Sequence, residues 1–207
     1  MRSHSKLIAM AIATTILGLA ISSASARNFE LRNSANGFKV VWNPLRLEAA
    51  GREAACPVTL EGVFETATFA KRAGTRTARV TGAALGACTR NTATVLRETL
   101  PWEVQYSSFT GTLPAITSHS HIIIRISIRV NLEGIECLMA TRTEQPAGGI
   151  SRIEASGAIT GFRADETKGI ETAGGFLCSI GGRARFAGEA TSITNRAGTG
   201  AITVRLI

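Results

Sequence analysis

Apolar and polar positions alternate along most of the chain after residue 27. Apolar or β-branched residues stand at every second position, and Gly, Asn or Pro interrupts the pattern about every ten residues. This pattern is typical of short antiparallel strands, each with one face in a core and one in solvent. We therefore predict an all-β fold in which residues 27–207 form a single domain, an antiparallel β-sandwich.

The segment SHSHIIIRISIRV, residues 118–130, shows the alternation most clearly. Its even positions carry Ile122, Ile124, Ile126, Ile128 and Val130, and its odd positions carry His119, His121, Arg125, Ser127 and Arg129. The pattern predicts one strand whose even face enters the core and whose odd face lies in solvent, with Ile123 as the exception. The preceding segment PWEVQYSSF predicts a second strand with Trp102, Val104 and Tyr106 on one face.

One stretch has a helical alternative. Asn43 and Pro44 are suited to cap and open a short helix through LRLEAAGREAA. However, Leu45, Leu47 and Ala49 alternate with polar residues, so we favour a β-hairpin.

The N-terminus has the features of a secretory signal peptide. Basic residues Arg2 and Lys6 precede the apolar run LIAMAIATTILGLAI, which is shorter than the roughly 20 residues that span a bilayer. The small residues of SSASA then supply a cleavage site. We predict a signal peptide at residues 1–26, no transmembrane segment in the mature chain, and a secreted protein or one on the extracellular face of the cell envelope.

All four cysteines, Cys56, Cys88, Cys137 and Cys178, lie after the predicted cleavage site. An even number in an exported chain indicates disulfides, and the isolated spacing does not match a zinc site. Three connectivities exist, and we favour the sequential pairs because neither loop then threads the other.

The charge of the chain favours anionic partners. The net charge is +8, and removal of the two basic residues of the signal peptide leaves 21 basic against 15 acidic side chains. Since an exported protein meets anionic wall or surface polymers rather than genomic DNA, and aromatic residues make up only 5% of the chain, we expect no nucleic-acid binding. The sequence does not specify an oligomeric state.

The histidines suggest a surface for such a partner. His119 and His121 point to the same side of the predicted strand, but two ligands make no metal site without a third, so we predict no metal and no cofactor. Instead we expect His119, His121, Arg125 and Arg129 to form an outward row that binds an anionic polymer. Such binding would strengthen below about pH 6.5, where exposed histidines gain charge.

Catalytic motifs are weak. The chain has no G-x-S-x-G motif, and its cysteines are expected to be oxidised. A hydrolase of glycans or esters with two facing glutamates remains an alternative, although the nearest acidic clusters, LEGIE and ADET, are typical of solvated loops. We predict no catalytic residue, and a protein-binding or inhibitory module is the other alternative.

Several segments resemble uncharacterised secreted proteins from high-GC, actinobacterial-type genomes. They are CPVTLEGVF, ATVLRETLPWEVQYSSFTGTLPAIT, CLMATRT, and GFRADET through FLCSIGGRARFAGEA. The resemblance spans most of the mature chain and implies export, but it carries no activity or ligand. The excess of arginine over lysine, 19 against 4, agrees with a GC-rich source. Sequence alone therefore favours an exported, non-enzymatic, two-disulfide β-sandwich.

Overall fold

The computed structural model describes residues 28–32, 36–165, 169–174, 176–179 and 183–207. The strands of these residues are, in chain order, β1 (Asn28–Arg32), β2 (Gly37–Ala49), β3 (Arg52–Phe64), β4 (Thr68–Ala70), β5 (Arg76–Leu85), β6 (Thr92–Val95), β7 (Trp102–Thr112), β8 (Ala115–Ile124), β9 (Ser127–Leu132), β10 (Ile135–Ala140), β11 (Ala147–Ile153), β12 (Ile159–Asp165), β13 (Glu171–Gly174), β14 (Arg185–Ala187), β15 (Ser192–Asn195) and β16 (Thr203–Leu206). A short 3-10 turn covers Arg97–Thr99, and one helical turn, α1, covers Phe176–Ser179. The antiparallel all-β class predicted from the sequence is confirmed.

A large antiparallel sheet dominates the fold, with the strand order β12-β11-β8-β7-β5-β3-β2-β14 and with β15 also paired to β2. Its two edges meet. The backbone N–H of Ala164 donates to the Gly188 carbonyl at 2.9 Å, and that of Ala190 donates to the Phe162 carbonyl at 2.7 Å. Because β12 thus bonds to the segment between β14 and β15, the sheet curls round its inner face.

A β-hairpin forms in the segment for which the sequence left a helix as the alternative. β2 and β3 pair from Ala49 opposite Arg52 to Gly37 opposite Val63, and their register shifts once, between Trp42 and Leu45. Ala50 and Gly51 connect the strands with φ of 54° and 70°. Positive φ at both central residues is the geometry of the tight turns that match strand twist, so the hairpin prediction is confirmed.

Two smaller sheets pack against the large one. In the four-stranded sheet β13-β10-β9-β6, the side chains of Val130, Leu132 and Met139 are fully buried in a core that also contains Trp102. Burial of each such apolar side chain stabilises the fold by about 1.5–3 kcal/mol. The layered arrangement agrees with the predicted β-sandwich.

The three-stranded sheet β16-β1-β4 covers another part of the large sheet. Phe29 and Val204 from this sheet form a second cluster with Tyr106 of β7. Phe38 and Phe64 pack against both clusters, so they mark the junction between the two cores.

Both predicted disulfides are present, Cys56–Cys88 and Cys137–Cys178, and none of the four cysteines is free. The first ties the connection after β5 to β3 in the middle of the large sheet. The second holds α1 against β10 of the four-stranded sheet. The sequential connectivity is therefore confirmed.

The single strand predicted across residues 118–130 is wrong. β8 ends at Ile124, and β9 begins at Ser127 in a different sheet. Arg125 between them has φ of 69°, and its N–H donates to the Thr141 carbonyl at 3.1 Å. A left-handed residue interrupts the two-residue period, so the faces before and after Arg125 are independent.

The predicted signal peptide lies outside the described residues, and the single-domain organisation stays a prediction. In the part of the chain that the structure describes, no helix is long and apolar enough to span a membrane.

Candidate functional site

Pairing with β7 decides which face of β8 turns inward. Trp102, Val104 and Tyr106 are all buried, as the sequence predicted. Val104 lies opposite Ile123 and Tyr106 lies opposite His121. Because directly opposite residues share a face of the sheet, the odd positions of β8 face the interior.

The predicted outward row of His119, His121, Arg125 and Arg129 is therefore not formed. His119 is only 1% exposed and His121 is half-buried. Arg125 and Arg129 are exposed, but they lie beyond the end of β8, and the Nε atom of Arg129 is 3.4 Å from Oε1 of Glu136. The predicted row was wrong because it assumed that one two-residue alternation continues through Arg125, whereas the strand is interrupted there. Binding of an anionic polymer stays a prediction without this geometric basis.

A cavity of about 70 Å³ lies beside the two histidines, at the junction of the two cores. Apolar and aromatic side chains form most of its wall, among them Trp42, Phe64, Phe69, Ile123 and Phe162. Its polar side chains include Thr77, His119, His121 and Ser151. No carboxylate belongs to this wall among the residues that the structure describes.

Aromatic rings surround His119. Its ring centroid is 5.1 Å from that of Phe29, 5.0 Å from that of Tyr106 and 4.0 Å from that of His121. Phe69 stacks on it at 5.5 Å with an angle of 16°. Within the described residues both ring nitrogens of His119 are buried and have no hydrogen-bond partner. His119 is thus a buried polar side chain on the cavity wall with its full hydrogen-bonding capacity unused.

His121 is partly satisfied. Its Nε2 atom is 3.0 Å from the Ser151 hydroxyl, whereas Nδ1 is buried and lacks a partner among the described residues, as does Nε1 of Trp42. Ser151 comes from β11, where it lies opposite His119. A buried polar group without a partner costs about 1–3 kcal/mol, so such a cluster calls for an explanation.

Both imidazoles are neutral at pH 7. Burial lowers the pKa of His121 to about 4. Burial, and secondly the charge of nearby His121, lowers the pKa of His119 well below its usual range. Each neutral ring offers one N–H donor and one nitrogen acceptor. The expected gain of charge below pH 6.5 therefore does not apply to these histidines.

The Ser151–His121 contact resembles a nucleophile with its base. An efficient base has a pKa near the working pH, and a third group usually orients it. The low pKa of His121 and the unpartnered Nδ1 meet neither condition in the described structure. The arrangement is better suited to hydrogen bonding than to proton transfer at neutral pH.

The glutamates considered for hydrolysis lie elsewhere. Glu133 is 3.2 Å from Nε of Arg52, Glu136 is 3.4 Å from Nε of Arg129, and both carboxylates are 65% exposed. Glu166 of the ADET cluster falls outside the described residues. The LEGIE carboxylates therefore act as surface ion-pair partners.

His119 and His121 have no third metal-ligating side chain beside them among the described residues. Among the described residues, no three His, Cys, Asp or Glu side chains converge on a position suited to a metal ion. The pair His119 and His121 is therefore without the additional donor that a metal site needs there.

A surface depression adjoins the cavity. An open depression of about 600 Å³ on the protein surface is lined by Glu30, Asn36 and Thr66, among others, and shares Leu31 and Phe64 with the cavity. Phe64, which is half-buried, therefore belongs to the walls of both spaces.

Sequence reasoning missed Ser151, Phe162 and Trp42 as parts of a site. They come from different strands, and their convergence depends on the register and curl of the sheet. One feature of the sequence indicated the true orientation: Ile123 is apolar but stands at an odd position, which does not fit odd positions that face solvent.

Comparisons with protein-family models, curated proteins and solved structures found no significant match to this chain.

Proposed function

We propose that this chain is an exported, non-enzymatic binding protein that holds a small, neutral, mainly apolar molecule in the cavity beside His119. One observation carries the proposal: a side chain that is 1% exposed and lines an apolar cavity has two unused ring nitrogens. A ligand that hydrogen-bonds there removes the cost of the unpartnered groups when it binds.

The chemistry of the wall selects the polar part of the ligand. A hydroxyl both donates and accepts, so it complements a neutral imidazole. An ionised group is disfavoured, because burial of an unpaired charge is far more costly than burial of a hydroxyl. The low pKa values of His119 and His121 deprive an anion of a positive partner at pH 7.

The volume sets the size of the ligand. One water needs about 10–15 Å³ of such space, so a cavity of about 70 Å³ holds roughly five water-sized groups at the larger figure. 1-Butanol, with about five non-hydrogen atoms, matches this size. The surrounding aromatic and aliphatic side chains suit its alkyl chain.

Export is supported by the covalent framework. Two disulfides fit an oxidising compartment, because the cytosol keeps most thiols reduced. The predicted signal peptide gives the same localisation.

We predict that 1-butanol binds the wild-type protein with about millimolar affinity, within the limit for a ligand of this size. 1-Chlorobutane has the same number of non-hydrogen atoms but no hydroxyl, and serves as the matched probe. His119→Phe should lower the affinity for 1-butanol relative to 1-chlorobutane by up to about tenfold, because one hydrogen bond contributes about 0.5–1.5 kcal/mol. NMR titration of the Ile123 methyl groups, which line the cavity, measures both affinities.

Ser120→Ala is the control variant, because Ser120 lies on the opposite face of β8 from His119 and His121. In this variant the ratio of the affinity for 1-butanol to that for 1-chlorobutane should equal the ratio in the wild type. The proposal fails if neither probe gives a saturable shift, or if the ratio is the same in His119→Phe as in the wild type.

A further inference from the structure

A second apolar chamber adjoins the cavity beside His119. We call the cavity beside His119 the upper chamber. The adjoining one, which has a volume of about 40 Å³, is the lower chamber. Four residues line both chambers: Trp42, Leu60, Ile123 and Phe162. The two spaces therefore share part of their walls.

The lower chamber has a different chemistry from the upper one. Its wall includes Leu45, Val58, Trp102, Ile126 and Phe186, and the described lining contains no histidine, hydroxyl or charged side chain. It suits a hydrocarbon, and the one unpartnered polar side-chain atom in its described lining is Nε1 of Trp42, because Nε1 of Trp102 donates to the Thr99 hydroxyl at 3.0 Å.

Phe162 is one of the four residues that line both chambers. Its ring centroid is 5.6 Å from that of Trp42, with the two rings edge to face, and 5.9 Å from that of His121. Gly149 makes room for it, because a Cβ atom at that position would lie 2.2 Å from Cζ of Phe162. Phe162 is thus packed against a glycine, and its ring links the polar wall of the upper chamber with the lower chamber.

We propose that the natural ligand is a straight-chain amphiphile whose neutral head group hydrogen-bonds at His119 and whose alkyl chain extends past Phe162 into the lower chamber. This inference rests on the proposed function and specifies its ligand class. The two volumes, about 110 Å³ together, hold about seven water-sized groups. 1-Hexanol matches that number, whereas 1-butanol fills the upper chamber alone.

The test is the dependence of affinity on chain length. In the wild type, 1-hexanol should bind about 15-fold more tightly than 1-butanol, because each buried methylene strengthens binding about fourfold. Ala164→Leu fills the lower chamber without reaching the upper one, since Ala164 lines only the lower chamber. In this variant the gain from 1-butanol to 1-hexanol should fall below about threefold, while the affinity for 1-butanol stays as in the wild type.

Ala84→Leu, an exposed alanine on β5, is the matched control and should keep the full gain. Ala164→Val replaces Ala164→Leu if the larger side chain prevents folding, and should reduce the gain partway. The inference is overturned if wild-type affinity does not rise from 1-butanol to 1-hexanol, or if Ala164→Leu and Ala164→Val keep the full gain. Failure of both 1-butanol and 1-chlorobutane to bind the wild type would instead overturn the proposed function itself.

Discussion

Between pH 6.5 and pH 4 the protein should lose about 3 kcal/mol of stability through His121 alone. In the unfolded chain His121 takes up a proton near pH 6.5, whereas burial lowers its pKa in the folded protein to about 4. The unfolded state therefore binds more protons in this window, and the free energy of unfolding falls as the pH falls. Below about pH 4 both states are protonated, and His121 causes no further loss. The lowered pKa of His119 acts in the same direction.

Urea denaturation of wild type and His121→Gln measures the effect. Acidic side chains titrate in both proteins, so the difference between their pH profiles leaves the contribution of His121 together with its effect on neighbouring His119. The wild type should lose about 3 kcal/mol more than the variant between pH 6.5 and pH 4. Parallel profiles, together with a histidine NMR titration midpoint near 6.5, would mean that the His121 ring is solvated.

Removal of either disulfide is expected to have the largest effect on stability, about 4 kcal/mol on the chain-entropy account. The paired residues are 32 positions apart in Cys56–Cys88 and 41 apart in Cys137–Cys178, and a loop of this length loses much of its entropy when it is closed. Replacing both partners by alanine, as in Cys137→Ala with Cys178→Ala, avoids a free thiol. Urea denaturation without reductant gives the loss.

The same double substitution should leave the Ile123 methyl shifts nearly unchanged under native conditions, because neither cysteine of this pair lines the upper or lower chamber. A loss of stability below about 1 kcal/mol would contradict the stabilising role. Alkylation of thiols in the untreated wild type would contradict the disulfides themselves.

The fold class could be predicted from sequence because its determinants are local. Alternation in PWEVQYSSF placed Trp102, Val104 and Tyr106 on one buried face, and the structure confirms it. The Ala50-Gly51 turn supports the hairpin at β2 and β3. Sequential disulfides followed from the compartment and from simple connectivity.

The orientation of His119 and His121 could not be predicted in the same way. Ile122, Ile123 and Ile124 supply apolar residues to both faces, so the period alone does not decide between them. Pairing of Tyr106 with His121 and the break at Arg125 decide it, and both are long-range or conformational features. Histidine is intermediate between the buried and the exposed residue types, so its identity did not correct the interpretation that the odd positions face solvent.

The cavity lay beyond sequence reasoning for a related reason. Its walls come from strands distant along the chain, such as β2 with Trp42 and β12 with Phe162. They face one another only because the edges of the large sheet meet at Gly188 and Ala190. No local pattern encodes such closure.

Unpartnered histidines in an apolar cluster reduce the stability of the ligand-free protein. An aliphatic or aromatic residue at position 119 would pack among Phe29, Phe69 and Tyr106 without that cost. Retention of a polar ring there is understandable if its hydrogen bonds serve a ligand, because functional sites commonly lower stability.

The unfolding free energy of ligand-free His119→Phe at about pH 7 tests this account most directly. If His119 is buried with its nitrogens unused, the substitution should raise stability by about 1–3 kcal/mol, because the phenyl ring needs no hydrogen bonds and the adjacent cavity accommodates its extra volume. His119→Leu, measured in parallel, reveals any overpacking by the larger ring. A loss of 1 kcal/mol or more in both variants would show that His119 is already satisfied in the free protein, and would contradict a site that awaits a ligand.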